Sequence, residues 1–262
     1  MKVRDIIAPL EEAAPLYLQE EYDNSGLAVG DPEAEVSSAL LCVDVTEAVL
    51  DEAVRLGAGL VVSHHPIIFN PLRHLTSTTY IERVVAEAVK RGISLYACHT
   101  NLDSAPGGMS YRLGGLLGLR DMRLLGDVSL KMSGAGFGVV GELECEMPMI
   151  DYLRLVKERL SVRCIRYSEL TQPSVRRVAL CTGAGASMMN DARRAGAQLY
   201  VSADFKYNNF LDADRGLVIA DVGHFESEYC AIDLMYEIIR KKIATFALHK
   251  SVCAVNPVNY LV

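Results

Sequence analysis

Residues 41–63 read LCVDVTEAVLDEAVRLGAGLVVS, and 139 positions further on residues 180–202 read LCTGAGASMMNDARRAGAQLYVS. Nine of the 23 positions are identical, among them Cys42 and Cys181, Arg55 and Arg194, Gly57 and Gly196, and Ser63 and Ser202. Self-similarity at a fixed spacing marks a duplicated structural unit. In the first copy an apolar run at 39–43 leads into an amphipathic stretch. Asp44 is placed to cap a helix with Glu47 three residues on, Gly57 is placed to end it, and a second apolar run, LVVS, follows. Strand, helix, strand, written twice, predicts an α/β fold made of a duplicated α/β unit with mostly parallel or mixed sheets.

The echo continues beyond the matched stretch. SLYAC (94–98) leads into His99, and GLVIADVG (216–223) leads into His224. Four residues after each histidine stands a carboxylate, Asp103 in one copy and Glu228 in the other. Side chains four apart share one face of a helical turn, so each pair can point at a common spot. Between the copies, roughly 120–175, MSGAGFGVVGELE suggests strands with a glycine-rich turn and MIDYLRLVKERL an amphipathic helix. This region reads as a small α+β connection.

The chain has 262 residues, enough for two α/β lobes of ordinary size. We place the first lobe at 1–125 and the second at 126–262, with C-terminal segments contributing to the first. Half of the residues are hydrophobic and 23% are charged, the balance of a well-packed protein. A net charge of -7 without clustered lysine and arginine argues against a nucleic-acid surface. The first 22 residues carry acidic side chains where a signal peptide needs an apolar core, and no stretch is pure enough to span a bilayer. A cytoplasmic protein is expected. Seven cysteines stand singly, with no CxxC pair, as reduced and mostly buried thiols do.

Six histidines are present, and four fall in three strand-end segments: His64 and His65 in LVVSHHPIIF (60–69), His99, and His224. Loops at the carboxyl ends of parallel strands are where α/β folds keep their chemistry. Imidazole nitrogens with carboxylate oxygens and no thiolate suit zinc, manganese or iron. Consecutive strand residues face opposite ways, which argues against one ion for His64 and His65, yet Pro66 ends the strand there. Two ions sharing a carboxylate would use His64, His65, Asp103, His224 and Glu228 well, and one six-coordinate ion is the competing arrangement. His99 reads as a ligand or, failing that, as a residue supporting the ligands from behind or a base facing the substrate. His74 and His249 read as surface residues, and Cys98 as packing. The glycines and Ser187 of CTGAGAS (181–187) offer backbone amides to a phosphate, against the plainer reading of a tight turn. Asp204 and Lys206 face either the cleft or solvent.

These segments, with YDNSGLAVG (22–30), ACHTNLD (97–103), VALCTGAGAS (178–187), YVSADFKY (200–207), DVGHFESE (221–228) and NPVNYL (256–261), resemble nearly end to end the dinuclear-metal proteins called GTP cyclohydrolase I type 2 or Nif-three-like. The resemblance implies metal ligands at His64, His65, Asp103, His224 and Glu228, with His99 lining the same cavity. It also implies two interlocked α/β lobes, a toroidal homohexamer, and the short form of the family without a mid-sequence insertion. Ser202, Ala203 and Asp204 stand where the family has Thr-Gly-Asp or Thr-Gly-Glu. Asn208 replaces a family histidine, which puts that histidine's contribution to substrate handling in doubt.

The expected function is therefore a hydrolase with two divalent metal ions per chain, zinc, iron or manganese, that activate a water molecule. His99 or Glu226 would move protons. The family label makes the small-molecule substrate GTP, attacked at C8, or another nucleotide. The alternative is a non-catalytic metal-binding or regulatory protein, and a third reading makes the ring itself the function.

Overall fold

The computed structural model describes residues 1–126, 132–213 and 216–261. In chain order the elements are α1 (Val3–Ala13), β1 (Gly26–Val29), β2 (Ser38–Cys42), α2 (Glu47–Arg55), β3 (Leu60–Ser63), α3 (Tyr80–Arg91), β4 (Ser94–Ala97) and α4 (Thr100–Ser104). There follow α5 (Met109–Leu116), β5 (Arg120–Leu124), β6 (Val139–Pro148), α6 (Met149–Arg159), β7 (Arg166–Tyr167), β8 (Ser174–Ala184), α7 (Met189–Arg194) and β9 (Leu199–Ala203). The last are α8 (Tyr207–Asp212), β10 (Val218–Asp221), α9 (His224–Glu228), α10 (Ala231–Lys242) and β11 (Ala247–Lys250).

Two compact units result. The first takes Met1–Ala105 and Ala231–Val255, the second Pro106–Cys230 and Asn256–Val262. The chain thus changes unit at Ala105, ahead of residue 125, and α10 and β11 return to the first unit. The first sheet has the order β1-β4-β3-β2-β11, the second β5-β6-β8-β9-β10-β7.

The duplication read from the sequence is visible as topology. β2, β3 and β4 run parallel as neighbours in the first sheet, and β8, β9 and β10 do the same in the second. In each sheet an antiparallel strand, β1 or β7, flanks the last of the three. Both sheets are therefore mixed. The 120–175 region is not a separate connection: β5 and β6 extend the second sheet along β8, and α6 packs on β6 and β8.

Within the first unit Leu40, Cys42, Val61 and Leu95 pack with Val49, Leu50, Val84 and Val85 of α2 and α3 on one face of the sheet. The alternate residues Ala39, Leu41, Leu60 and Val62 are also buried, and α10 contacts β2. Burial on both faces explains why β3 reads as a continuous apolar run rather than an alternating one. In the second unit Ala179, Cys181, Tyr200 and Ile219 pack against Met189 and Ala192 of α7. Among the described residues no helix is long and apolar enough to cross a membrane, and all seven cysteines are free.

One capping assignment differs from the sequence reading. The α2 N-cap is Thr46, whose hydroxyl accepts from the Val49 amide, and Asp44 is left for another partner. The other end follows expectation: Gly57 adopts φ +64, and the Ala58 amide reaches back to the Ala53 carbonyl at 2.8 Å.

The returning segment is pinned to the first unit by a buried carboxylate. Glu52 of α2 accepts from the Ser251 hydroxyl and from the amides of Val252 and Cys253 at 3.1 and 3.3 Å. Burial would raise its pKa, but these hydrogen bonds outweigh burial and hold the carboxyl below its ordinary value. A depressed value stabilises the fold above the unfolded pKa, and the effect is lost as pH falls through the folded one. Glu52→Ala is expected to lower stability by about 2 kcal/mol at pH 7 in urea titrations, a difference that narrows below about pH 4.

Candidate metal centre

Because β2, β3 and β4 are parallel, their carboxyl ends emerge at one edge of the first sheet, bringing Asp44, His64 and His65, and His99 with them. The amides of His64 and His65 both bond the Val43 carbonyl, at 3.1 and 3.0 Å, so the chain has left the strand pleat at this point. The Ser63 hydroxyl closes the turn on the His65 carbonyl at 2.7 Å. The two rings are consequently neighbours, with centroids 5.0 Å apart, and the opposite-face objection does not apply. The His99 ring lies 5.4 Å from His64 and 5.3 Å from His65. Asp103, on α4, places Oδ1 3.8 Å from His64 Nε2. The first unit thus assembles His64, His65, His99 and Asp103, with Asp103 lying against His64.

In the second unit the pair four apart does meet: His224 Nε2 stands 2.9 Å from Glu228 Oε2 across the single turn of α9. Glu228 is buried and His224 half-buried. Gly183, at the end of β8 with φ +60, gives this carboxylate its room, since a Cβ there would lie 2.2 Å from Glu228 Oε1. Glu226 accepts from Asn256 Nδ2 at 2.9 Å, which ties it to the C-terminal segment. The phosphate reading of CTGAGAS meets competition from within the fold. The Gly183 and Gly185 amides donate to the hydroxyls of Ser227 and Ser202, at 2.9 and 3.0 Å, and the α-helix that follows has only six residues.

One feature is common to all four imidazoles. His64 Nδ1 contacts the Cys98 carbonyl oxygen at 2.9 Å and His65 Nδ1 the Asp44 carboxylate at 2.8 Å. His99 Nδ1 contacts Asp23 and His224 Nδ1 contacts Asp204, each at 2.7 Å. An oxygen acceptor on Nδ1 favours the proton there and leaves Nε2 for a different partner. Asp204 does this from a left-handed backbone, φ 57, a strained conformation for a non-glycine residue. The open choice for Asp204 thus resolves toward the histidine.

Asp44 and Asp23 were missed as site residues. Asp44 follows β2 directly, so its place at a carboxyl strand end was a usable signal. Asp23 lies in the YDNSG motif, and its partner is 76 residues away in sequence. Burial would raise the Asp23 carboxyl, but hydrogen bonds from His99, Thr100 and Ser25 prevail and hold it well below the usual carboxylate range. The buried Cys98 thiol is pushed up to about 12 by desolvation, so it stays protonated and its contribution is its carbonyl. His74 is exposed, and His249 lies on β11.

Comparison with known proteins places this arrangement in context. The chain matches the Duf34/NIF3 (NGG1p interacting factor 3) family over residues 1–257. It is 36% identical over 244 residues to the "GTP cyclohydrolase 1 type 2 homolog" of Clostridium perfringens, covering 93% of each chain. The protein of the same description from Clostridium acetobutylicum is 30% identical over 251 residues, covering 95% of this chain and 92% of that one. Among solved structures, the Bacillus cereus protein related to NIF3 superposes with a TM-score of 0.90 at 24% identity, over 100% of this chain and 99% of the other, which establishes a shared fold.

Gly57 offers a control for the role of Gly183. Both have positive φ, but nothing lies within 4 Å of a Cβ added at Gly57. Gly183→Ala is expected to cost at least about 1 kcal/mol more than Gly57→Ala in urea midpoints, the excess coming from displacement of Glu228. Equal costs would mean that Glu228 is not confined as described.

Proposed function

The chain belongs to the Duf34/NIF3 family, and from that membership and the geometry of its imidazoles we propose that it is a metal-dependent hydrolase. The observation that carries the reading is that all four strand-end histidines have Nδ1 against an oxygen acceptor. That is the arrangement by which proteins prepare Nε2 as a ligand or base.

The donor types fit a borderline divalent cation, with nitrogen and oxygen and no thiolate. The minimal group we propose takes His64 and His65 from the first unit and Glu228 from the second, two imidazoles and one carboxylate. With Asp103 and His224 added, the five side chains are the proposed holders of two ions of zinc, iron or manganese. Such ions supply, when bound, an activated water and polarisation of the group it attacks. Asp44 and Asp204 orient the rings of His65 and His224. His99 is the first proposed proton carrier and Glu226 the second, the latter being already engaged by Asn256.

The relatives' description suggests GTP or another nucleotide as the small molecule acted on. Metal ligands specify water activation better than they specify a substrate, so the proposal commits to hydrolysis first and to a nucleotide second. A ring of six chains and a cytoplasmic setting belong to the same reading, and light scattering of purified protein tests the ring.

Metal analysis of the purified protein, followed by a screen of GTP, other nucleotides, phosphoesters and amides with added Mn²⁺, Fe²⁺ or Zn²⁺, tests the function. His65→Ala and Glu228→Ala are expected to lose most of the metal. Asp44→Ala is expected to keep the site but bind metal about 10–100-fold more weakly. Full metal content and full activity in His65→Ala would refute the site. Tight metal binding without turnover on any substrate class would favour a carrier or regulatory protein.

A further inference from the structure

We propose that Asp23 is the positioning residue that holds His99 in one tautomer and one orientation, with Nδ1 protonated and Nε2 left as the nitrogen able to accept a proton. This rests on the hydrolase reading, in which His99 carries protons, and adds the group that prepares it.

The four histidine partners are not equivalent. His64 is held by a backbone carbonyl, and the side chains of Asp44 and Asp204 are 43% and 55% exposed. Asp23 alone is fully enclosed, at 0%. Its Oδ1 accepts from the Asn24 amide and contacts His99 Nδ1, both at 2.7 Å. Its Oδ2 accepts from the Ser25 hydroxyl at 2.9 Å, from the Thr100 amide at 3.1 Å and from the Thr100 hydroxyl. Two of these partners are backbone amides that can only donate, and a carboxylate so surrounded is an acceptor only. His99 Nδ1 must then be the donor, and a neutral imidazole has one N–H, so Nε2 is bare.

Orientation is fixed independently of the tautomer. The His99 amide donates to Asn101 Oδ1 at 2.9 Å and to the Ser25 hydroxyl at 3.3 Å, so Ser25 joins Asp23 to the His99 backbone. The ring stands edge-on to Phe69, with centroids 6.3 Å apart at 77°. Asn24 Nδ2 bonds the Ile68 carbonyl at 2.6 Å, fastening the YDNSG loop to the loop that carries His64 and His65.

A plain structural role would be capping of α4 through the Thr100 amide, and Asp23→Asn separates the two. The amide side chain keeps its size and, with its oxygen kept on the two Thr100 donors and the Ser25 hydroxyl, turns its NH₂ to His99 Nδ1 as a donor at the loss of the single Asn24 amide bond. The imidazole must then accept there and carry its proton on Nε2. Carbethoxylation by diethyl pyrocarbonate attacks an unprotonated imidazole nitrogen, and peptide mass spectrometry reads it at each histidine. The exposed His74 supplies an internal reference. In the full-length, metal-replete protein the His99 to His74 rate ratio is expected to fall at least about tenfold in Asp23→Asn. A ratio within twofold of the wild type, in a variant that unfolds at the wild-type temperature, would overturn the proposal.

A second measurement needs no variant at this position. In zinc-loaded protein with ¹⁵N-labelled histidine, the His99 signals, assigned by their loss in His99→Gln, are expected to show a protonated Nδ1 and a bare Nε2. The opposite tautomer overturns the inference even if Asp23→Asn does not fold. Metal content is measured on the same samples. A wild-type protein that takes up no metal defeats the hydrolase reading, whereas an unmoved His99 in a metal-replete protein defeats the role of Asp23 alone.

Discussion

Neighbouring strands that run in the same direction deliver the loops that follow them to the same edge of a sheet. That constraint places the four histidines of the candidate centre. In the first unit β2, β3 and β4 end in Asp44, in His64 and His65, and in His99. In the second, β8, β9 and β10 end in Gly183, Asp204 and His224. The strands can do this because they are buried on both faces and hold few polar groups of their own. Reversing one of these strands would send its histidine to the far edge, whatever its sequence.

What the strand ends bring together, three carboxylates and one backbone carbonyl then orient. An imidazole has two nitrogens and, when neutral, a single proton, so a ring without a partner on Nδ1 exchanges tautomers and rotates. The fold removes that freedom at all four rings. The arrangement is costly: Asp23 is enclosed, Glu228 is buried, and Asp204 is held in a left-handed conformation. Groups kept under such strain are more economically explained by chemistry than by packing, because apolar residues would fill the same volume at lower cost.

The sequence made the duplicated unit legible, since matched residues at a fixed spacing report on backbone geometry that both copies share. It also made the strand-end histidines legible, because apolar runs announce buried strands and whatever follows them stands out. The α2 cap was misread because Asp44 and Thr46 are both good capping residues, and only the tertiary partner, His65, decides between them. Asp23 was invisible for a related reason: a hydrogen bond across 76 residues leaves no periodic trace. β11 escaped notice because ALHK is short and has no fully buried residue, so its place beside β2 comes from pairing rather than from its own pattern. The turn at His64 and His65 was half legible. Pro66 predicted that the strand ends, but two amides sharing the Val43 carbonyl is a three-dimensional fact.

The first sheet is completed by β11, and α10 covers β2, although both are specified more than a hundred residues after the rest of that unit. During synthesis the ribosome therefore emits most of the first unit, then the whole intervening body of the second, before the pieces that close the first exist. Until then β2 is an open edge and Glu52 lacks the amides it will bind. The first unit thus reaches its mature form only after residues 231–255 have been made, behind most of the second unit.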